Sequence, residues 1–390
     1  MARSEGLVQL RGPMARRRFL RGAGFGVAGL GASVLFGCGG DDRDAPSTVG
    51  PDDREPPPEV TTLRVPQVSA SCAAPFLAAR AFLAEEGFTD IQYVPTRLQY
   101  SLINERVGSG EVDIAFQFVP PLAYDIEQGM PLVALAGAHV ACYEIRGADG
   151  ITSLADLRGK RVGIHDIAPK PSDFTFIASI LQYVGITVGK DCEIVPFNYG
   201  STVNYTNALN AGLIDAAMFL PPVALSVRDA EIGHVLLDSR VDAPWSKYYC
   251  CFVITRKGFL EQNPIATKRA LRAVLRGVDR CHREPEAVAQ ELVRAGWSAN
   301  EYSAVQGMPY QHFDAWRTHS PEDSMRFFAL RLREGGVIKS TPDELIKRGL
   351  DLRYLDELRD KIAFAPGRGG GNFALNCDTA PLGPTREGVS

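Results

Sequence analysis

Cys250-Cys251-Phe252 is the most chemically suggestive run of the chain, two adjacent thiols inside an apolar stretch. Side chains of neighbouring strand residues point to opposite faces, so two such thiols do not readily share one ion. Packing is therefore the expected role, since cysteine is among the most often buried residues. A disulfide to Cys72 or Cys142, or metal or redox chemistry, are the alternatives. The six histidines (His139, His165, His234, His282, His312, His319) include no pair at helical metal-binding spacing, so no metal site is expected. Gly-x-Ser-x-Gly, a Walker loop and His-Glu-x-x-His are all missing from the sequence. The polar residues instead suit ligand binding. Ser69 and Ser71 follow an apolar strand pattern and offer hydroxyls and free N–H groups to a polar or anionic group, although Ser71 can equally cap the next helix. Arg97 can clamp a carboxylate, sulfonate or phosphate bidentately, or lie solvated on the surface. His165 ends a later strand pattern, and Ser172 and Asp173 open a helix pattern. An aspartate there disfavours a fully anionic ligand and suits an amine or ring N–H. Gln117, Phe118, Asn198, Tyr199 and Phe219 also stand at expected strand ends. Trp245 lies near Tyr248 and Tyr249, where aromatics can stack on a planar solute or simply pack.

Those positions come from hydrophobic patterning. Thr62–Val68 reads as a strand, Pro75–Glu86 as a helix, Ile91–Val94 as a strand, Leu98–Val107 as a helix and Val112–Phe118 as a strand. Such alternation implies parallel sheet with helices on both faces. An internal repeat then sets the architecture. Gly110-Glu111-Val112-Asp113-Ile114-Ala115 leads into Pro120-Pro121, and Gly212-Leu213-Ile214-Asp215-Ala216-Ala217 leads into Pro221-Pro222. Two copies of one α/β unit make two lobes, and ligands of open α/β sheets bind at the strands' carboxyl ends. The apolar runs Ala134–Ile145 and Tyr248–Thr255 are expected to cross between lobes. Residues 61–145 and 256–364 then form lobe 1, residues 150–244 form lobe 2, and the two crossings make a hinge.

The 390 residues are 45% hydrophobic and 23% charged, which fits a folded body. The formal net charge of −4 makes nucleic acid an improbable partner. Residues 1–37 carry six arginines and one glutamate, so everything after them sums to −9. Arg16-Arg17-Arg18-Phe19-Leu20-Arg21, followed by an uncharged run of 16 residues with six glycines, reads as an export signal. The run is too short and glycine-rich for a membrane span. Leu35-Phe36-Gly37-Cys38 is similar to a bacterial lipobox, whose cysteine would carry lipid, although Phe36 departs from the usual small residue. Residues 39–60, rich in acids and prolines, are expected to be a disordered tether. Residues 365–390, rich in glycine and proline, are expected to be a disordered tail.

Ser153-Leu154-Ala155-Asp156-Leu157-Arg158-Gly159-Lys160-Arg161-Val162-Gly163 closely resembles the segment that opens the second lobe of periplasmic solute-binding proteins. More narrowly, residues 61–360 resemble the sulfonate/nitrate/taurine type of ABC-importer binding protein, whose superfamily includes the thiamine-pyrimidine synthases. The resemblance implies a type II periplasmic-binding fold, two doubly wound α/β lobes joined by two crossing strands. It also implies a monomeric lipoprotein, without cofactor or catalysis, that delivers a small organic solute to an ABC permease. The alternative it implies is a synthase-like enzyme using pyridoxal phosphate and iron. In that branch a longer cysteine run marks the iron-associated site, and here only Cys250 and Cys251 stand together.

Overall fold

The computed structural model describes residues 55–96, 102–165, 172–197, 202–298 and 301–362. The arginine-rich segment, Cys38 and the glycine-rich tail lie outside the described residues. Ten strands fall into two groups. Strands β1 (Thr62–Gln67), β2 (Asp90–Pro95), β3 (Ile114–Phe118), β4 (Leu132–Val140) and β10 (Tyr249–Arg256) build one lobe. Strands β5 (Glu144–Gly147), β6 (Arg161–His165), β7 (Glu193–Phe197), β8 (Ala216–Phe219) and β9 (His234–Asp238) build the other. The first lobe carries α1 (Ala74–Ala78), α2 (Arg80–Glu85), α3 (Ile103–Ser109) and α4 (Val119–Glu127). The second carries α5 (Ser172–Tyr183), α6 (Thr202–Asn210) and α7 (Val223–Asp229). The chain then adds α8 (Lys257–Gln262), α9 (Pro264–Arg283), α10 (Pro285–Arg294), α11 (Glu301–Gly307), α12 (Pro321–Glu334), α13 (Pro342–Gly349) and α14 (Arg353–Lys361). The helix read over Pro75–Glu86 is interrupted at Ala79, between α1 and α2.

Asp113 and Asp215 explain the sequence repeat. Asp113 accepts from the Arg64 backbone N–H at 2.9 Å and from its guanidinium at 2.9 and 2.8 Å, while its own N–H donates to the Arg64 carbonyl at 2.8 Å. Asp215 treats Arg161 the same way, accepting from the backbone at 2.8 Å and the guanidinium at 3.1 and 3.3 Å and donating to the Arg161 carbonyl at 2.7 Å. Each aspartate thus fixes the start of its own strand beside the start of a neighbour. The glycine three residues earlier turns the chain out of the preceding helix, with φ of +82° at Gly110 and +66° at Gly212, a region only glycine enters cheaply. The first lobe holds a two-stranded sheet, β1-β2, and a three-stranded one, β3-β10-β4; with β1 held beside β3 by Asp113, their succession follows the single five-stranded order β7-β6-β8-β5-β9 of the second lobe.

Neither sheet is wholly parallel, as the alternation had suggested. β10 runs antiparallel to both β3 and β4, and β5 runs antiparallel to both β8 and β9. The odd strand in each sheet is the one that has just arrived from the other lobe, so the two lobes exchange strands. The passages themselves are short. β4 stays in the first sheet, and residues 141–143 carry the chain into β5. β10 likewise belongs to the first sheet along its length, so the second passage is residues 239–248 and not Tyr248–Thr255. Fully buried strands such as β3, β4 and β8 read as continuous apolar runs, because both faces are covered.

The expected tether ends before residue 60. Glu59 accepts from the Ile265 and Ala266 N–H groups at 3.0 and 2.8 Å, at the start of α9. Glu55 pairs with Arg272 at 2.6 Å and Lys268 at 3.1 Å. Two carboxylates that read as solvating charge are instead bound to a basic helix, one of them at its positive end.

Replacing Asp113 by alanine strands Arg64 and also Arg256, which donates to the same carboxylate at 2.9 Å. Asp113→Ala should cost about 3 kcal/mol and the more exposed Asp215→Ala about 1–2 kcal/mol, measured by denaturant unfolding. Equal costs would show that the two copies do not carry the load this geometry assigns them.

Candidate functional site

The two passages between the lobes are fastened to each other by one buried hydroxyl. Ser239 Oγ accepts from the Cys142 and Tyr143 N–H groups at 3.1 and 3.0 Å and donates to the Tyr143 carbonyl at 2.7 Å. Its own N–H donates to that carbonyl at 3.1 Å. Ala141 and Cys142 take φ values of +63° and +148°, which L-residues avoid unless their surroundings hold them there. His312 pairs with the same region, its N–H donating to the Val140 carbonyl at 2.9 Å. Burial holds the His312 imidazole below its ordinary pKa, with Asp314 pulling the other way.

The carboxyl ends of the strands meet beside this hinge. Phe118 ends β3 and Phe219 ends β8, both buried, and Gln117 turns its amide oxygen back to accept from the Phe118 N–H at 2.8 Å. Phe176, one turn into α5, stands edge-on to Phe118 at 5.3 Å, to Tyr143 at 4.6 Å, and 5.9 Å from Phe328 of α12. A side chain of the second lobe therefore seals the seam against the first. Ser172 and Asp173 open the same helix and are buried at its N-terminus. Burial and the Asp173 charge push the Tyr205 hydroxyl well above its ordinary pKa. That hydroxyl lies 2.9 and 3.0 Å from the Gly163 and Met218 carbonyls and accepts from the Met218 N–H at 2.9 Å, joining β6 to β8.

Ser69 is exposed and Ser71 buried at the turn after β1, and Ser71 does not act as a helix cap, because Ala70 takes the capping position. A cavity of about 10 Å³ lies between Ser69, Ser71 and Trp297 of the first lobe and Pro222 of the second, room for one water at most. A Cβ on Gly307 would come within 2.2 Å of Ser71 Oγ, so a larger residue at the end of α11 would make that hydroxyl turn away. Trp245 is on the second passage but stands edge-on to Tyr183 at 5.1 Å, at the far end of α5 from Ser172. It does not join the other candidates. His165 ends β6, while Arg97, Asn198 and Tyr199 lie outside the described residues.

Sequence reading missed Phe176 and an ionic cluster at the mouth of β5. Buried Glu144 accepts from Arg228 at 2.5 Å and Arg146 at 3.3 Å, and Asp238 accepts from Arg240 at 3.0 Å. The Arg240 and Arg228 guanidiniums lie 4.1 and 5.5 Å from the ring centre of Tyr310, which belongs to the first lobe. Burial and the Glu144 charge push Tyr310 up to about 12. Cations of one lobe thus stack on an aromatic ring of the other. The only sequence signal was charge inside an apolar run, Glu144-Ile145-Arg146.

The described cysteines are thiols outside any disulfide, and four of them gather at the hinge. The ligand atoms of Cys72, His139 and Cys142 lie within 4.8 Å of one another, as do those of His139, Cys250 and Cys251. The expectation that Cys250 and Cys251 point apart does not hold. The β10–β4 register shifts between Tyr249 and Cys251 and again before Phe252, so the bulge leaves Cys250 unpaired and brings the two Sγ atoms to 3.8 Å.

Two α/β lobes of matching topology, exchanging one strand each, define a type II periplasmic-binding fold. Solved structures share it. The nitrate-binding protein NrtA of Synechocystis PCC 6803 aligns with a TM-score of 0.63 at 17% identity, over 80% of this chain and 94% of that one. The putative sulfonate-binding protein SsuA of Methylobacillus flagellatus KT aligns at 0.57 and 18%, over 78% and 95%. The aliphatic sulphonate-binding protein SsuA of Escherichia coli aligns at 0.57 and 14%, over 74% and 91%. No curated protein is significantly similar in sequence. The NMT1/THI5-like family model matches residues 74–288, more than half of the chain, and the chain belongs to that family.

Two outcomes test the hinge. Ser239→Ala leaves two buried N–H groups without their acceptor and should cost about 2 kcal/mol in denaturant unfolding; a change within a few tenths would show that the hydroxyl does not tie the passages. His312 binds its proton more weakly folded than unfolded. Its contribution is therefore full above an ordinary imidazole pKa of about 6.5 and lost as pH falls below it. The denaturation midpoint should fall less steeply below about pH 6.5 in His312→Asn than in the parent chain, and identical slopes would contradict this assignment.

Proposed function

We infer that this protein is an extracytoplasmic solute-binding component of an ABC importer, closing its two lobes on a small organic molecule. The observation that carries the reading is the contact between lobes at the strand ends, Phe176 of α5 edge-on to Phe118 at 5.3 Å, and the proposed solute seam takes Ser69, Ser71 and Phe118 from one lobe and Ser172, Asp173, Phe176 and Phe219 from the other. The hinge beside it is one strained, hydroxyl-tied edge, so the lobes can separate without unfolding either sheet. The fold is shared with proteins described as binding nitrate and sulfonates, and the arginine-rich N-terminal segment supports export. Lobe 1 then comprises residues 61–145 and 256–364, with β10 added to it, and lobe 2 comprises residues 150–244. Cys38 carries a lipid that moors the body near a permease, and the protein acts as a monomer without catalysis.

Function follows from differential affinity. A solute that contacts both lobes favours the closed arrangement by the free energy of those double contacts, and closure reports occupancy. The buried Asp173 at the start of α5 favours a solute that carries a donor over a bare anion such as nitrate. Buried phenyl rings at the seam favour an apolar or planar body.

A thermal-shift series over nitrate, alkanesulfonates, aromatic acids, pyrimidines and flavins tests the reading. One class should raise the melting temperature by several degrees, because a ligand at a hundredfold its dissociation constant stabilises by about 2.7 kcal/mol. Asp173→Asn should weaken that shift. No shift from any class, together with turnover of a pyridoxal-dependent substrate, would contradict it.

A further inference from the structure

His139 is buried between the rings of Phe116 and Phe313, at 6.4 and 5.6 Å. Its Nδ1 lies 3.2 Å from the Ala141 carbonyl, which can only accept, so Nδ1 carries the proton and Nε2 the lone pair. Among the described residues that buried Nε2 has no partner at hydrogen-bonding geometry, and Cys72 is a polar group beside the ring. A buried acceptor left without a partner is costly, and an imidazole oriented by a carbonyl on one nitrogen with the other nitrogen free is the arrangement of a metal ligand.

The atoms within reach of that histidine are sulfurs. Cys72 comes from the turn after β1, Cys142 from the first passage, and Cys250 and Cys251 from the bulge in β10, all buried. Sulfurs held at about 2.3 Å by one tetrahedral ion stand about 3.8 Å apart. The Cys250 and Cys251 sulfurs are 3.8 Å apart already. The donors are sulfur-rich and fully enclosed, which suits a soft ion in a closed site without an open coordination position.

We propose that His139, Cys72, Cys142 and the Cys250–Cys251 pair hold one thiophilic d10 ion, Zn(II) or Cu(I), at the hinge. Five donors serve an ion that needs at most four, so one thiol stays protonated and donates to a neighbouring thiolate. Binding displaces the other thiol protons to solvent and involves no change of oxidation state. The ion joins a turn of the first lobe to the first passage and to β10, so it stiffens the hinge without occupying the solute seam. This proposal does not rest on the identity of the solute or on transport.

The test uses the purified full chain, stripped of metal and reduced under anaerobic conditions. Zn(II) and Cu(I) are titrated separately against chromogenic chelators, and Co(II) serves as a spectroscopic stand-in for Zn(II). One equivalent of ion should bind, Co(II) should show thiolate charge-transfer and intense tetrahedral bands, and the melting temperature should rise with metal. Whichever ion competes better with its chelator identifies the resident metal. His139→Gln should weaken binding at least tenfold, and Cys250→Ser with Cys251→Ser should abolish it. The Cys192→Ser, Cys281→Ser chain, which alters buried thiols outside the cluster, should bind as the parent does. An octahedral oxygen-rich Co(II) spectrum, no binding by the parent chain, or unchanged binding in the Cys250/Cys251 double variant would overturn the proposal. If that double variant does not fold, the parent's Co(II) spectrum and the His139→Gln affinity still decide.

Discussion

An aspartate gripping an arginine at the start of a neighbouring strand is the interaction on which the rest of the molecule depends. It occurs once in each lobe, at Asp113 and at Asp215, and each time it accepts from both the backbone and the guanidinium. Charge-assisted bonds of this kind are short and directional. Two strands pinned together at their starts must present their other ends side by side. Those other ends, at Val68–Ser71, Phe118, His165 and Phe219, are the ones assigned to the proposed seam. The register of the site is set at the opposite edge of each sheet.

Strand exchange then decides how the lobes can move. β5 and β10 each complete the sheet of the lobe they enter, so neither lobe is whole without a strand delivered from the other. The passages lie side by side and share the Ser239 hydroxyl, and the proposed closure is a rotation about that one edge. Closure is held by contacts that cost little to break individually: Phe176 against Phe118 and Phe328, and the Arg240 guanidinium over Tyr310. Several modest contacts across a hinge suit a protein that must both grip and release.

Much of this was legible in the chain itself. The repeated Gly-x-x-Asp pattern announced two equivalent units, and the turn at Ser69–Ser71 and the start of α5 at Ser172 fell where patterning placed them. The partner of each aspartate was not legible, because Arg64 and Arg161 lie about fifty residues upstream and nothing local marks them. Strand direction was misjudged for β5 and β10, since a strand buried on both faces is an apolar run whichever way it points. The thiols were misjudged for a sharper reason. Alternation holds for regular strands, and one extra residue in β10 is enough to turn Cys250 and Cys251 toward the same neighbours. Glu55 and Glu59 read as solvating charge because their partners on α9 lie about two hundred residues away in sequence.

Closure of both lobes on one solute is most directly tested by peptide-resolved hydrogen exchange during titration with whichever solute stabilises the chain. The account predicts that protection rises together, with one midpoint, at the Ser69–Ser71 turn, at the start of α5 and around Tyr310, because these belong to different lobes and come together only in the closed form. Protection confined to one lobe, or gained at unrelated surfaces while these three segments stay unchanged, would contradict it.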